Sequence, residues 1–209
     1  EFPPEKFGTL LGRAPGNVAI YSSHYASVDP AEYPDRDSFR SFLDGVYMGY
    51  KWQCVEFARR WLYVNHGYVF DDVAMAFDIF ALHHVTRLAD NQLLPLHSFR
   101  NGSLRAPQPG CLLIWEEGGE FEVTGHVAIV TEVMADRIRF AEQNLEHCKL
   151  PEHQTWSREL PLSRSAEGGY HIQSGASDSH VLGWVIQTAD ARHAEKSGPA
   201  QPQLYRLNS

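Results

Sequence analysis

The chain has 209 residues, 43% of them hydrophobic and 21% charged, with a formal net charge of −8 and an isoelectric point near 5.7. This is ordinary globular composition, long enough for one full core and short for two. The acidic balance argues against a nucleic-acid partner, whose phosphates want a basic face, and no stretch reaches the roughly 20 apolar residues of a membrane span. The three cysteines, Cys54, Cys111 and Cys148, are odd in number and widely spaced, without a CxxC pair. A disulfide scaffold is therefore not expected, and a reducing cytoplasm fits best. No basic-then-apolar leader opens the chain, so secretion is not indicated; the start at Glu1-Phe2 without Met reads as a piece of a longer protein.

Residues 7–50 read as loops and turns with short strands, punctuated by Gly8, Gly12, Pro15, Gly16, Pro30 and Pro34. Residues 18–22 suggest a strand. Residues 52–65 read as a helix with Val55, Ala58 and Leu62 on one stripe and Trp61 beside it, stopped by Gly67. A second helix is predicted over 73–90, capped by Asp71 or Asp72, with Ala76, Phe77, Phe80 and Val85 on its apolar face. Strand patterns follow: residues 111–115 after a turn at 107–110, then 126–133, then 137–142 beyond a turn around Ala135-Asp136, and finally 181–187. Residues 189–209 turn polar, as a C-terminal tail or linker would. Helices first and an antiparallel sheet afterwards predict an α+β fold.

Chemistry is expected at the start of the first helix. Cys54 falls in its first turn, where partial positive charge and unpaired N–H groups favour thiolate over thiol. A nucleophile needs a base and an orienting group. With a turn near residues 135–136, His126 opposes a residue in the mid-140s, and a bulge moves that pairing toward Glu142. His126 and Glu142 should then meet at one end of the sheet, where directly opposed Cβ atoms lie about 4.5–5.5 Å apart. The Cys54 backbone N–H and the Gln53 side chain are candidates for holding an oxyanion.

At these residues a resemblance is visible. The segments 7–12 (FGTLLG), 51–60 (KWQCVEFARR), 124–128 (TGHVA) and 141–144 (AEQN) resemble the amidase domains of glutathionylspermidine synthetase/amidases. Those domains belong to the CHAP group (cysteine, histidine-dependent amidohydrolase/peptidase), with a papain-like core. The resemblance spans residues 7–188. It implies Cys54 as nucleophile, His126 as base and Glu142 as third member. It implies hydrolysis of glutathionylspermidine to glutathione and spermidine, without cofactor or metal. In the bifunctional relatives an ATP-dependent synthetase domain follows, for which the residues after Thr188 leave no room.

Competing readings stand beside these. Asn144 rivals Glu142 as orienter, since residues two apart share a face in extended chain. Arg59, with Arg60, is a candidate for gripping a substrate carboxylate, against a structural ion pair. Trp52 and Trp115 are candidates for cleft walls or core, and Glu116, Glu117 and Glu120 for polyamine attraction or a solvated loop. Cys111 reads as core and Cys148 as an ordinary loop residue. The rival functions are a wall-hydrolysing peptidoglycan amidase or endopeptidase of the same group, and a non-catalytic module that binds glutathione–polyamine conjugates.

Overall fold

The computed structural model describes residues 3–195. A hairpin of β1 (Leu10–Ala14) and β2 (Val18–Tyr21) precedes a second hairpin, β3 (Arg40–Leu43) and β4 (Val46–Tyr50). Then comes α1 (Cys54–His66), followed by β5 (Tyr68–Val69), β6 (His84–Arg87), β7 (Gln92–Arg100) and β8 (Leu112–Trp115). The chain continues through β9 (His126–Val133), β10 (Arg137–Ala141), β11 (Arg158–Arg164), β12 (Tyr170–Ile172) and β13 (Val181–Gln187). The last nine strands form one antiparallel sheet in the order β12-β11-β10-β9-β8-β13-β7-β6-β5. The fold is α+β, with α1 the one α-helix among the described residues.

The sheet has a core on each face. On one, Phe57, Ala58, Trp61 and Leu62 of α1 bury themselves against Leu112, Ile114, Val127, Ile129 and Val185. On the other, Leu113, Trp115, Ala128, Val130, Phe140 and Trp184 pack with Leu160 and Leu162 of β11. The alternation along β8 and β9 sends successive residues to opposite cores, as a pleated strand buried on both faces must. At full burial each large apolar side chain contributes about 1.5–3 kcal/mol, so this double core is the main stabilising term.

α1 begins at Cys54 and ends where Gly67 adopts the left-handed conformation, φ 70°, with its N–H bonded to the Tyr63 carbonyl. A side chain at that φ would be strained. The close approach of β4 fixes the other end: a Cβ on Gly49, at φ +129°, would lie 3.2 Å from the Glu56 Cα.

The helix predicted over 73–90 does not form. Ala76–Ala81 is a six-residue 3₁₀ helix and His84–Arg87 is a strand. Asp78, not Asp71 or Asp72, caps the turn by accepting from the Met75 N–H at 3.1 Å. Three residues per 3₁₀ turn still bring Ala76 and Ile79 into the core, which imitates the helical stripe. Val85 then opposes Leu94 in the β6–β7 hairpin, and its β-branched side chain suits a strand. The "helices" of the expected N-terminal layer therefore reduce to α1.

Residues 189–195 lie against the domain: the Glu195 N–H bonds the Ser98 carbonyl at 2.7 Å, and Asp190 and Glu195 pair with Arg105 and Arg100. The remainder of the expected tail, residues 196–209, lies outside the described residues. Among the described residues no helix is long and apolar enough to cross a membrane.

Candidate active site

Gln53 precedes α1 in extended backbone, φ −79° and ψ 166°, without a side-chain cap on the helix. The first-turn N–H groups are thus left for another acceptor. Cys54 is 7% exposed. Burial alone would push its thiol up. The adjacent charge of His126, its hydrogen bond to the sulfur, and hydrogen bonds from the Val127 and Val55 backbone outweigh that and hold the thiol below its ordinary range. Cys54 and His126 are therefore brought together, one from the helix start and one from the first residue of β9.

His126 is 2% exposed. Its Nε2 lies 2.7 Å from the Glu142 Oε2, which leaves Nδ1 as the ring nitrogen for the Cys54 sulfur. Burial would drive the imidazole toward neutrality; Cys54 and then Glu142 raise it instead, to about 9. Phe121 stacks on the ring with centroids 4.5 Å apart and an interplanar angle of 3°. Trp115, directly opposite His126 in the β8–β9 ladder, flanks it at 5.3 Å. Gly125 makes the approach to this corner possible. It has φ +63°, and a Cβ there would fall 2.5 Å from the Trp115 carbonyl oxygen.

The β9–β10 hairpin carries the expected bulge, between Arg139 and Phe140, but it shifts the register by only one residue. Ala141 pairs with Ile129. Continuing that register would set His126 opposite Asn144, not Glu142. Glu142 is instead the diagonal neighbour on the same face, within reach of long side chains. Asn144 leaves the ladder at φ 67° and accepts from the Ser23 hydroxyl at 2.7 Å. The structure thus brings Glu142, and not Asn144, onto the imidazole.

Arg158 of β11 was not anticipated. Its Nε donates to Glu142 Oε1 at 2.6 Å and its Nη2 to Oε2 at 3.2 Å. The Glu142 N–H also donates to the Ser157 hydroxyl at 3.1 Å. Burial would raise the Glu142 carboxyl, but His126 and Arg158 hold it down, so it is ionised. The polar alternation of residues 158–164 was the available signal, and it marks a strand without naming the strand's neighbour.

A second unanticipated group ties α1 to the same strand end. The Glu56 carboxylate is fully buried and accepts from Arg60 Nε at 2.7 Å, Ser41 Oγ at 2.9 Å and Gln143 Nε2 at 2.9 Å. Gln143 also donates to the Gln53 carbonyl at 3.2 Å and accepts from Arg60 and the Tyr21 N–H. Every polar side chain of the network is satisfied, the condition under which a buried polar cluster specifies one geometry.

The substrate-contact expectations need correction. Arg59 is buried and donates Nε to the Phe70 carbonyl at 3.0 Å and Nη1 to the Tyr47 carbonyl at 2.8 Å. It braces main chain instead of presenting its fork to a ligand. Trp52 packs on Tyr21, centroids 4.2 Å apart, beneath the Arg60 guanidinium, and does not line the cleft. Gln53, by contrast, is exposed and lines the cleft beside Cys54. That cleft, about 810 Å³, is lined by Val55, Thr124, Gln53, Asp72, Arg36 and Arg40 among others. A smaller groove of about 310 Å³, with Tyr25, Phe39 and Lys51, meets it at Gln53, Tyr50 and Arg36. Residues 21–50 thus supply much of the wall. Cys111 is a core residue whose thiol burial pushes up to about 12, and Cys148 is exposed. Trp115 is core, and Glu120 approaches Arg158 at 3.9 Å. Among the described residues no group of three or more His, Cys, Asp or Glu side chains is placed to hold a metal ion.

Residues 45–144 match the CHAP domain family. The chain is 53% identical over 202 residues to the bifunctional glutathionylspermidine synthetase/amidase of Escherichia coli (strain K12), covering 97% of this chain and 32% of that protein. It is equally similar to the protein of that name from Shigella flexneri. It is 34% identical over 202 residues to the trypanothione synthetase of Crithidia fasciculata, covering 95% of this chain and 29% of that protein. The chain spans about a third of the length of the curated relatives it matches.

Proposed function

We propose that this chain, whose residues 45–144 match the CHAP domain family, is a cysteine amidase cleaving glutathionylspermidine to glutathione and spermidine. The observation that carries the reading is the line Cys54–His126–Glu142. The carboxylate engages Nε2 at 2.7 Å, and the other ring nitrogen is left to the sulfur. The same proposal assigns the chain a papain-like core, a cytoplasmic setting, and a covalent connection to a synthetase domain of the kind its relatives' names state. ATP and magnesium belong to that domain's chemistry, not to this site's.

The chemistry follows from the geometry. The Cys54 thiolate attacks the glycyl carbonyl carbon of the glutathione part; a C–S bond forms and the carbonyl π electrons move to oxygen. The Cys54 N–H and the Gln53 amide are the donors assigned to that oxyanion. As the C–N bond breaks, the His126 Nδ1 proton passes to the departing spermidine nitrogen, leaving a glutathionyl thioester. Water then gives its proton to His126 and attacks the thioester; the C–S bond breaks, glutathione leaves and the thiolate returns. Glu142 keeps the ring in the tautomer that both half-reactions require. Arg36 and Arg40, the arginines open to the cleft, take the place of Arg59 as partners for the glutathionyl carboxylates.

Purified protein incubated with glutathionylspermidine should release spermidine in step with glutathione, read by mass spectrometry, and Cys54→Ala should bind substrate without releasing it. Release by Cys54→Ala would refute the nucleophile assignment. Cell-wall clearing on a zymogram without spermidine release would replace the substrate with peptidoglycan. Binding of the conjugate with no turnover by the unaltered protein would favour the non-catalytic module.

A further inference from the structure

We propose that Arg158 is a positioning residue for this reaction, clamping both oxygens of Glu142 so that the carboxylate holds His126 and the Cys54–His126 pair stays poised. The proposal rests on the amidase reading for its kinetic readout alone. Arg158 arrives from β11, opposite Phe140 in the β10–β11 ladder, and its guanidinium lies over the Phe140 ring at 5.5 Å. From there its Nε and Nη2 reach Oε1 and Oε2 of Glu142 at 2.6 and 3.2 Å. Oε2 is the same atom that meets the imidazole. A fork on both oxygens fixes the plane of the carboxylate, and through it the tilt of the ring; a single-point contact leaves that plane free to rotate.

Arg158 also completes a charge balance. With the pair ionised, Cys54 and Glu142 contribute two negative charges and His126 and Arg158 two positive ones. Removing Arg158 leaves the cluster one negative charge in excess. That excess disfavours the thiolate and favours the imidazolium, so both groups shift upward. The other charges facing the cluster do not alter the sign. Glu120 and Glu146 act on Arg158 itself, from the loops before β9 and after β10. Glu56 and Arg60 neutralise each other behind Cys54 on α1. Tyr25, coupled to Cys54, is pushed up to about 12 by burial and stays uncharged over the range tested.

The test is the pH profile of Arg158→Met and Arg158→Lys. For Arg158→Met, both limbs of kcat/KM should move upward by about 0.5–1 unit, and the plateau should fall about 10- to 100-fold. Arg158→Lys keeps the charge but not the fork: its limbs should stay at the unaltered positions while the plateau still falls. The pH dependence of Cys54 alkylation by iodoacetamide, read by peptide mass spectrometry, reports the same upward shift in Arg158→Met without any substrate. If glutathionylspermidine is not cleaved by the unaltered protein, the amidase reading fails, and the alkylation profile alone judges Arg158. A residue that merely stabilises the fold would lower activity with the folded fraction and leave every limb in place; that result overturns the proposal. Should Arg158→Met not fold, a Lys variant with an undiminished plateau overturns it equally.

Discussion

Replacing Glu142 by Gln isolates the charge of the third group with almost no change in shape. The native carboxylate accepts from three charged donors: His126 Nε2 at 2.7 Å, and Arg158 Nε and Nη2 at 2.6 and 3.2 Å. An amide offers one acceptor oxygen and one NH₂. If its oxygen faces Arg158, its NH₂ faces Nε2, and His126 must carry its proton on Nδ1. That nitrogen can then no longer take a proton from the Cys54 thiol. If its oxygen faces His126, two donors oppose each other at Arg158 and the clamp opens. The first arrangement is the wrong-tautomer case, which costs about 10⁴ in a serine triad; the second loses charge and orientation, on the order of 10². The loss in kcat/KM should therefore fall between about 10²- and 10⁴-fold, some 3–5 kcal/mol of transition-state stabilisation. The pH profile must move as well. The active pair needs a thiolate, present above the depressed value of Cys54, and an imidazolium, present below about 9. Activity therefore falls on the alkaline side as pH rises through about 9. Without the Glu142 charge the imidazolium is less favoured, and that limb should drop by about a unit or more. Spermidine release measured from pH 5 to 10 reads both effects. A variant within threefold of the unaltered protein, with its alkaline limb still near 9, would refute the role assigned to Glu142.

Iodoacetamide at pH 7 should label Cys54 first, Cys148 more slowly and Cys111 only after unfolding, because Cys111 is buried and its thiol lies near 12; native labelling of Cys111 ahead of Cys54 would contradict this order. Glu56→Gln leaves Arg60 buried against a neutral partner and should cost about 3–5 kcal/mol in urea unfolding, with a loss under about 1 kcal/mol counting against the network. Arg59→Met should lower stability by about 1–3 kcal/mol, through two main-chain carbonyls left unpaired, while KM changes little; a selective rise in KM would restore a substrate contact. Gly125→Ala meets the Trp115 carbonyl at 2.5 Å with φ +63° and should abolish activity and lower the melting temperature, so a fully active, equally stable variant would show that this corner gives way easily.

Much of the site was legible because its signals are local. The helix expected over residues 52–65, with Gly67 as its stop, followed from apolar spacing and the need for a left-handed end, and the observed helix is Cys54–His66. The strands at 126–133 and 181–187 were legible as unbroken β-branched and apolar runs. Where two local solutions bury the same residues, spacing misled. Ala76 and Val85 fit a helix, but a 3₁₀ turn followed by a paired strand buries both and also satisfies the backbone through β7. Residues 158–164 alternate as a strand does, but nothing local names β10 as their neighbour, and residues 92–100 pair with β13, which lies more than 80 residues further along the chain.

The amino-acid order alone determined that a cysteine would stand at a helix start, that a histidine would open a long strand, and that an acid would follow one hairpin later, since each depends on neighbours a few positions away. Only the tertiary structure decided how they meet. The one-residue bulge makes Glu142 a diagonal partner and turns Asn144 aside toward Ser23. Strand order brings Arg158 across to the carboxylate, and folding directs Arg59 to main-chain carbonyls while leaving Arg36 and Arg40 at the cleft. Those choices depend on long-range register, where a shift of one residue exchanges faces, and no local pattern records which distant strand will lie alongside.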